Sequence, residues 1–534
     1  MLIDTDVLIL GAGLSGVGFA VRLQQKYPRA TFEIYEKAEQ LGGTWFANTY
    51  PGCACDVPSH LYSYSFALNP DWSEQFAPQA EINAYCCAVA EKFDVARHIT
   101  FRSTAQAAKF DQESGTWAVR ILDQQTGQVY ERRSRVLISA VGLLSEPNDC
   151  HIPGAEDYKG KLFHSSRWDH SFDWAGKDVV VVGNGCSATQ FVPILSEGSG
   201  AAKKVTQFIR QPHWLEERPN PKYPPAVKWI FRHVPFAMRL FRCALFFYLE
   251  SYFNTFRRVA GKKIREHRKK VQTAYLKKMA PEKYYDILIP KVEFGCKRRV
   301  MDTDYFACLH RENMELVHAD PIETITTTGV RTQSGREIHA DAVVLATGFK
   351  ATQPLFPLEI TGENGISMTE HWENSSCHAP NAYYGVCASK FPNLFMLIGP
   401  NTATGHTSAI FTSECQINFT LKVLRPILGA LHPSPPSLLS RLIWNPFSSS
   451  RPAPDTVAVT PEAEERESKW IDEASSKYVW TSGCASWYLH PSGRNTALYP
   501  DSQVKFWLRS VFEPAGRDFV FKHSPKAVVD RKTK

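Results

Sequence analysis

The chain has 534 residues, of which 43% are hydrophobic and 22% charged. That globular balance excludes a disordered or fibrous protein and implies two or three domains. Its net charge of +7 attracts anionic ligands only weakly, and no nucleic-acid partner is expected. The 13 cysteines show neither zinc nor CxxC spacing, so no metal is expected and all are read as reduced thiols of a cytoplasmic protein.

Met1 to Leu10 carries no basic leader or small-residue cleavage site, so no secretory signal is expected. Asp6-Val-Leu-Ile-Leu10 reads as a buried parallel strand. It leads into Gly11-Ala-Gly13-Leu-Ser-Gly16, a helical stretch, and a returning strand that closes on Glu36. Val136 to Gly142 is a further apolar strand, placed where the chain would leave this unit. The same build recurs at Asp178-Val-Val-Val-Val182, followed by Gly183-Asn-Gly185-Cys-Ser187-Ala188, a helix, and a strand near Val205 that closes on Arg210. One glycine-rich hexad is a weak signal. Two, each in strand–turn–helix–strand context, point to an α/β protein with two Rossmann-type nucleotide sites.

From 223 to 289 the α/β rhythm breaks. This stretch is aromatic, leucine-rich and basic, with Arg257-Arg258, Lys262-Lys263 and Arg268-Lys-Lys270, and reads as a helical insertion. It is either a lid over a substrate cavity or an amphipathic element with a solvated basic side. Its most apolar part, Val234 to Asn254, carries Arg239, Arg242 and Glu250, which argues against a spanning helix, and membrane contact is not expected. Ala342 to Phe349 is an apolar strand ending in Ala-Thr-Gly, where the chain would return to the first unit. Leu431 to Asp455 is dense in Pro and Ser and reads as a surface loop. The expected order is a first domain over 1–150 and 345–534, interrupted by a second domain over 151–344.

In the first turn Gly11 permits the tight bend, Gly13 lets the backbone approach a pyrophosphate, and Gly16 lets the helix pack on the strand. Glu36 stands where a carboxylate accepts hydrogen bonds from ribose hydroxyls. Gly183, Gly185, Ser187 and Ala188 repeat the turn. The closing residue there is Arg210, suited to a 2′-phosphate, so the second nucleotide is read as NADPH rather than NADH.

With two such turns and these strand ends, the chain resembles the type I Baeyer–Villiger monooxygenases, sister to the flavin-containing monooxygenases. Gly42-Gly43-Thr44-Trp45-Phe-Ala-Asn-Thr-Tyr50-Pro51-Gly52-Cys-Ala-Cys-Asp56 matches one signature of that family at every defined position. Tyr158-x-Gly160, His164 and Trp168-Asp169 match another, with Tyr158 where Phe is usual. Lys297-Arg298 resembles the pair in which lysine holds the nicotinamide nucleotide and arginine sits over the flavin. Arg299 adjoins it and leaves the register open. Ser486-Trp487 resembles the C-terminal segment that covers the cofactor, and Gly399-Pro400-Asn401 a late turn of the FAD domain. The resemblance implies FAD against Gly11, Gly13, Gly16, Glu36, Thr44, Trp45, Asp56, Tyr62 and Asn401. It implies NADPH against the second turn, Arg210, Lys297 and Trp487. Trp45 and Tyr50 are expected to pack near the flavin, and His164 to govern the relative motion of the two nucleotide domains.

The implied reaction is oxidation of a ketone to an ester or lactone by O2. NADPH reduces FAD, a C4a-peroxyflavin forms, and its anion attacks the carbonyl. Arg298 is the expected stabilising cation, since a guanidinium does not give up its proton, and Asp56 is expected to orient it. A heteroatom-oxygenating flavin monooxygenase shares this chemistry and is the main alternative. A disulfide reductase would need a redox-active cysteine pair near the flavin, and a non-catalytic nucleotide-binding protein lies outside the class. The particular ketone stays open, as does monomer against dimer.

Overall fold

A computed structural model describes residues 2–432, 454–512 and 516–525, with a short strand at Val529–Asp530. The Pro/Ser-rich stretch expected as a surface loop lies, from 433 to 453, outside the described residues.

The first glycine-rich turn joins strand β1 (Thr5–Leu10) to helix α1 (Leu14–Lys26), which returns to β2 (Phe32–Tyr35). Every residue of β1 is buried, because the strand is covered on both faces. Even its Asp6 is satisfied, accepting from the Thr31 amide and hydroxyl. After α2 (Thr44–Ala47) and α3 (Gln79–Lys92), β3 (Ile99–Thr100) joins β2, and β4 (Ser103–Asp111), β5 (Thr116–Asp123) and β6 (Val129–Ser139) form an antiparallel run. β6 lies parallel to β1 and brings the run into one sheet with it.

The second unit holds β7 (Lys161–His164), β8 (Asp178–Val182), α4 (Ala188–Leu195) and β9 (Lys204–Phe208). Its helical insertion comprises α5 (Pro225–His233), α6 (Ala237–Ser251) and α7 (Lys262–Met279). β10 (Met314–Val317) and β11 (Ala342–Leu345) complete a five-stranded parallel sheet in the order β10-β9-β8-β11-β7. The chain then rejoins the first sheet through β12 (Glu359–Thr361), which pairs with β4, and β13 (Leu394–Met396), which pairs with β6. Helices α8 (Ala409–Val423), α9 (Pro461–Ser475) and α10 (Gln503–Phe512) close the chain.

The insertion shows a division that composition concealed. Its solvated basic side belongs to α7, where Lys262, Lys263, Lys270, Lys277 and Lys278 are exposed. Helices α5 and α6 instead turn Trp229, Phe236, Leu240, Phe247 and Tyr248 outward, each more than half exposed. No helix among the described residues is long and apolar enough to cross a membrane.

Inward, α6 is anchored by Arg242, which is buried. Its Nη1 donates to the carbonyl of His60 at 2.8 Å and to Ser63 Oγ at 3.1 Å, and its Nη2 lies 3.6 Å from the Glu414 carboxylate on α8. Removing the cation strands a buried carboxylate, which costs roughly 3–5 kcal/mol. Arg242→Met should therefore lower the free energy of urea unfolding by about that amount. A loss of under about 1 kcal/mol, the scale of an exposed pair, would show that this anchor carries little load.

Candidate functional site

Both glycine turns open on one cavity of about 2040 Å³ between the two sheets. Single-ligand pockets run to about 1,000 Å³, so this space exceeds what one small molecule fills. Gly11 has φ +101°, and a Cβ there would lie 2.6 Å from the Ala140 carbonyl oxygen. Gly183 repeats the geometry at φ +116°, 2.4 Å from the Ala346 oxygen. Only glycine meets both demands. Gly16 packs its helix on the turn, where a Cβ would strike the Gly11 oxygen. Neither α1 nor α4 has a side-chain cap; the start of α1 is thus open to an anion, whereas at α4 the Thr189 and Gln190 amides donate to the Gly185 and Ser187 carbonyls of the turn. The two nucleotides of the expected cofactors fit such a cradle in number, size and charge.

Glu36 lines the cavity, is 6% exposed, and has its carboxylate oriented by the amides of Ala12 and Ala38 at 2.7 and 2.8 Å. Thr44, Trp45 and Tyr62 line it too, the Trp45 indole donating to the Tyr62 hydroxyl at 3.1 Å. Tyr50 reaches across to the second unit, where its hydroxyl donates to Gln190 Oε1 on α4 at 2.9 Å. Gly183, Gly185, Ser187 and Trp487 are further lining residues. Ala188 is buried at the start of α4 and contributes packing rather than a cavity wall.

Arg210 is exposed at the cavity and faces no carboxylate partner among the described residues. Lys297 also lines the cavity and donates to Gln211 Oε1 at 2.6 Å. Burial, reinforced by the nearby Arg210 charge, lowers the Lys297 ammonium below its ordinary range. Two cations converging without an acid between them form an electrostatic site for phosphate.

Arg298 is held by two distant segments of the first unit. Its Nη2 lies 2.8 and 2.6 Å from the two oxygens of Asp56, its Nε donates to Asp56 Oδ2 at 3.2 Å, and its Nη1 donates to the Thr404 carbonyl at 3.2 Å. Burial pushes the Asp56 carboxyl up, but the guanidinium overrides this and holds it below the usual carboxylate range. Burial likewise disfavours the Arg298 cation, and Asp56 more than restores it. Arg299, the other candidate in register, turns instead to Glu216 at 3.4 Å and sits over the Tyr252 ring. Arg298 lines the cavity and Arg299 does not.

Two expectations need correction. Asn401 does not face the cavity: it is 2% exposed, and its amide donates to the Asn495 carbonyl at 2.7 Å, tying two loops together. The cavity wall there comes from Thr402, Ala403, Thr404 and Thr407. His164 and Trp168, expected as signature residues of the link between the two units and not as cavity residues, stand behind the wall. The His164 Nδ1 pairs with Ser166, burial brings its pKa down to about 4, and its ring meets Phe349 past the return strand. Trp168 packs on Phe163 and Phe191. Finally, the thiols are not all free, because Cys296 and Cys484, 188 residues apart, are joined in a disulfide. The bond ties the loop bearing Lys297 and Arg298 to the C-terminal segment bearing Trp487. Neither cysteine lines the cavity, and both lie within a cluster of buried aromatic residues. That is no place for a cysteine pair exchanging electrons with a flavin.

Sequence reasoning missed Thr404, Gln211, Glu216 and Gln190, which position the residues it named. None sits in a readable motif, and only the short run Thr402-Ala-Thr404-Gly-His406 after Gly399-Pro400-Asn401 hinted at a built turn.

Comparison with known proteins agrees with this geometry. The profile of the family described as Flavin-binding monooxygenase-like matches residues 4–363. An FAD-binding monooxygenase of Aspergillus niger, ktnD, is 34% identical over 98% of this chain and 83% of its own length. A Baeyer–Villiger monooxygenase of Pseudomonas aeruginosa is 33% identical over 94% of this chain and 88% of its own. Among solved structures, an oxidized steroid monooxygenase bound to NADP superposes with a TM-score of 0.79 at 26% identity, covering 97% of this chain and 100% of that one. The closed form of cyclohexanone monooxygenase does so at 0.81 with 24% identity, over 98% and 100% of the two chains, and shows the shared fold. On the match across 4–363 and on identities above 30% along nearly the whole chain, this protein belongs to the flavin-binding monooxygenase-like family.

Proposed function

We propose that the chain is a Baeyer–Villiger monooxygenase, using FAD and NADPH to insert one atom of O2 beside a ketone carbonyl. The reaction consumes ketone, O2, NADPH and a proton, and yields ester or lactone, water and NADP+. The observation that carries this reading is the fixed Arg298 cation, set between both nucleotide turns by Asp56 and the Thr404 carbonyl. Relatives named for this reaction, similar over most of the chain, support it.

Bound FAD would supply the electron path from NADPH to dioxygen; Gly11, Gly13, Glu36, Thr44, Trp45 and Tyr62 would hold it. The residues of this chain do the rest. Arg210 and Lys297 would bind the 2′-phosphate end of NADPH by charge. Arg298 stabilises negative charge that develops on oxygen within its reach, and as a guanidinium it cannot quench that charge by donating its proton. Keeping oxygen anionic favours attack on carbonyl carbon, whereas a protonated oxidant favours sulfur or nitrogen. Asp56 makes the cation directional, and its own charge is secured by the same pair.

Coenzyme choice is testable at Arg210. Losing one charge-assisted phosphate contact is worth roughly 1.5–3 kcal/mol, about ten- to a hundredfold. Arg210→Ala should raise KM for NADPH by that factor and leave KM for NADH nearly unchanged; equal effects on both would remove the assignment.

Arg298 separates the two half-reactions. Arg298→Ala should still bind FAD and be reduced by NADPH in anaerobic stopped flow, yet form no oxygenated product in air. Normal ester yield from this variant would discard the role.

The reaction itself is tested with a ketone panel under labelled dioxygen. At least one ketone should give an ester or lactone carrying one labelled atom, with the other in water. A panel yielding only sulfoxides, N-oxides or hydrogen peroxide would make the enzyme a heteroatom oxygenase or an uncoupled oxidase.

A further inference from the structure

Arg298 is gripped from the Asp56 side by a carboxylate, but on its Nη1 side only by one backbone carbonyl, that of Thr404. A carbonyl in a turn holds a guanidinium only as well as the turn itself is held. The Thr404 turn is held by an unusual set of groups. Thr404 Oγ1 lies 3.2 Å from His406 Nδ1 and accepts from the Thr407 amide at 3.1 Å. His406 Nε2 lies 3.0 Å from Glu250 Oε2, near the C-terminal end of α6 in the helical insertion. The other oxygen, Glu250 Oε1, accepts from the Gln503 amide at 2.8 Å, at the start of α10.

These bonds fix the proton positions. Glu250 can only accept, so the imidazole carries its proton on Nε2 and offers Nδ1 as an acceptor to the Thr404 hydroxyl. The Thr404 oxygen keeps its lone pairs for the Thr407 amide and for the Thr407 hydroxyl 3.1 Å away. A neutral imidazole serves this pattern, and burial, opposed by Glu250, lowers the His406 pKa in that direction. The His406 and Glu250 side chains are 3% and 10% exposed, and the rings of Phe253 and Phe256 pack against the imidazole at 5.5 and 5.7 Å. Water therefore has little access with which to replace a lost link.

We propose that Glu250 and His406 are positioning residues for oxygen transfer, holding Arg298 in place through the Thr404 carbonyl and thereby coupling the helical insertion and the C-terminal helix to the active cation. This rests on the role of Arg298 given above. Neither residue lines the cavity, so neither touches substrate or cofactor. Their effect is on geometry, and a displacement of about 1 Å at a reacting centre can cost on the order of a hundredfold.

The experiment uses FAD-loaded, full-length enzyme with a ketone found to be turned over. Three quantities are read: anaerobic flavin reduction by NADPH, ester formed per NADPH consumed in air, and thermal midpoint. Glu250→Ala should keep flavin reduction within about twofold and ketone KM within about threefold. Ester per NADPH should fall about tenfold, with hydrogen peroxide making up the difference. His406→Gln should do the same, because with its amide nitrogen on Glu250 its oxygen does not occupy the Nδ1 position that faces Thr404; it also decides the matter if Glu250→Ala does not fold. Glu250→Gln, which retains one acceptor oxygen, should recover part of the coupling.

Unchanged coupling in both Glu250→Ala and His406→Gln, while Arg298→Ala has lost product, overturns the positioning role alone. So does a lowered thermal midpoint with flavin reduction and ester formation falling in parallel, the mark of a merely structural pair. Full ester yield from Arg298→Ala overturns the underlying reading instead.

Discussion

The structure depends on one ion pair between parts of the chain that are far apart in sequence. Asp56 lies in a loop of the first nucleotide unit, and Arg298 lies 242 residues further on, within the second unit and after its helical insertion. Neither βαβ unit contains both members of the pair by itself. Burying this pair removes two charges from water, a cost that mutual attraction offsets only when the geometry is good. Arginine suits the task because its planar fork matches a carboxylate and so sets direction as well as distance. The pair does not simply hold the units together. It decides where, between the two glycine turns, a permanent positive charge points.

The remaining architecture restricts that charge further. Loop 402–407 supplies the Thr404 carbonyl, the insertion supplies Glu250, and the C-terminal segment is tied to the loop before Lys297 by the Cys296–Cys484 bond. Three distant parts of the chain thus converge on residues 296–298. Convergence of this kind is what electrostatic catalysis requires, since a cation free to reorient spends its stabilising energy on its own motion. The insertion has two sides with different duties. Its inner groups, Arg242 and Glu250, reach into the body of the enzyme, while α5 and α6 carry large apolar side chains outward.

Much of the nucleotide machinery was legible because it is local. A glycine at a sharp turn, a helix start at Leu14 or Ala188 just beyond it, and an acid or a base at the end of the next strand lie within about thirty residues. Gly11, Gly183, Glu36 and Arg210 all stand at the cavity in the order the spacing requires. The register of the Lys-Arg-Arg run was not legible. Arg298 and Arg299 are chemically identical, and only their partners, Asp56 and Glu216, tell them apart. Asn401 was misread for a related reason: it follows a recognisable Gly-Pro, but its positive φ and its bonds to a loop near residue 495 turn it away from the cavity.

By itself, then, the sequence determined the two glycine-rich turns and the sign of charge at each strand end. Those features follow from the conformational limits and charge of residues close together in the chain. The tertiary structure alone decided which arginine faces the cavity, which carbonyl and imidazole hold it there, and which two of 13 cysteines meet. Each of these is a contact between groups about 80 to 240 residues apart. Residue type says what such a group can bond to, but only the packing of sheets, insertion and C-terminal segment brings the partner within reach.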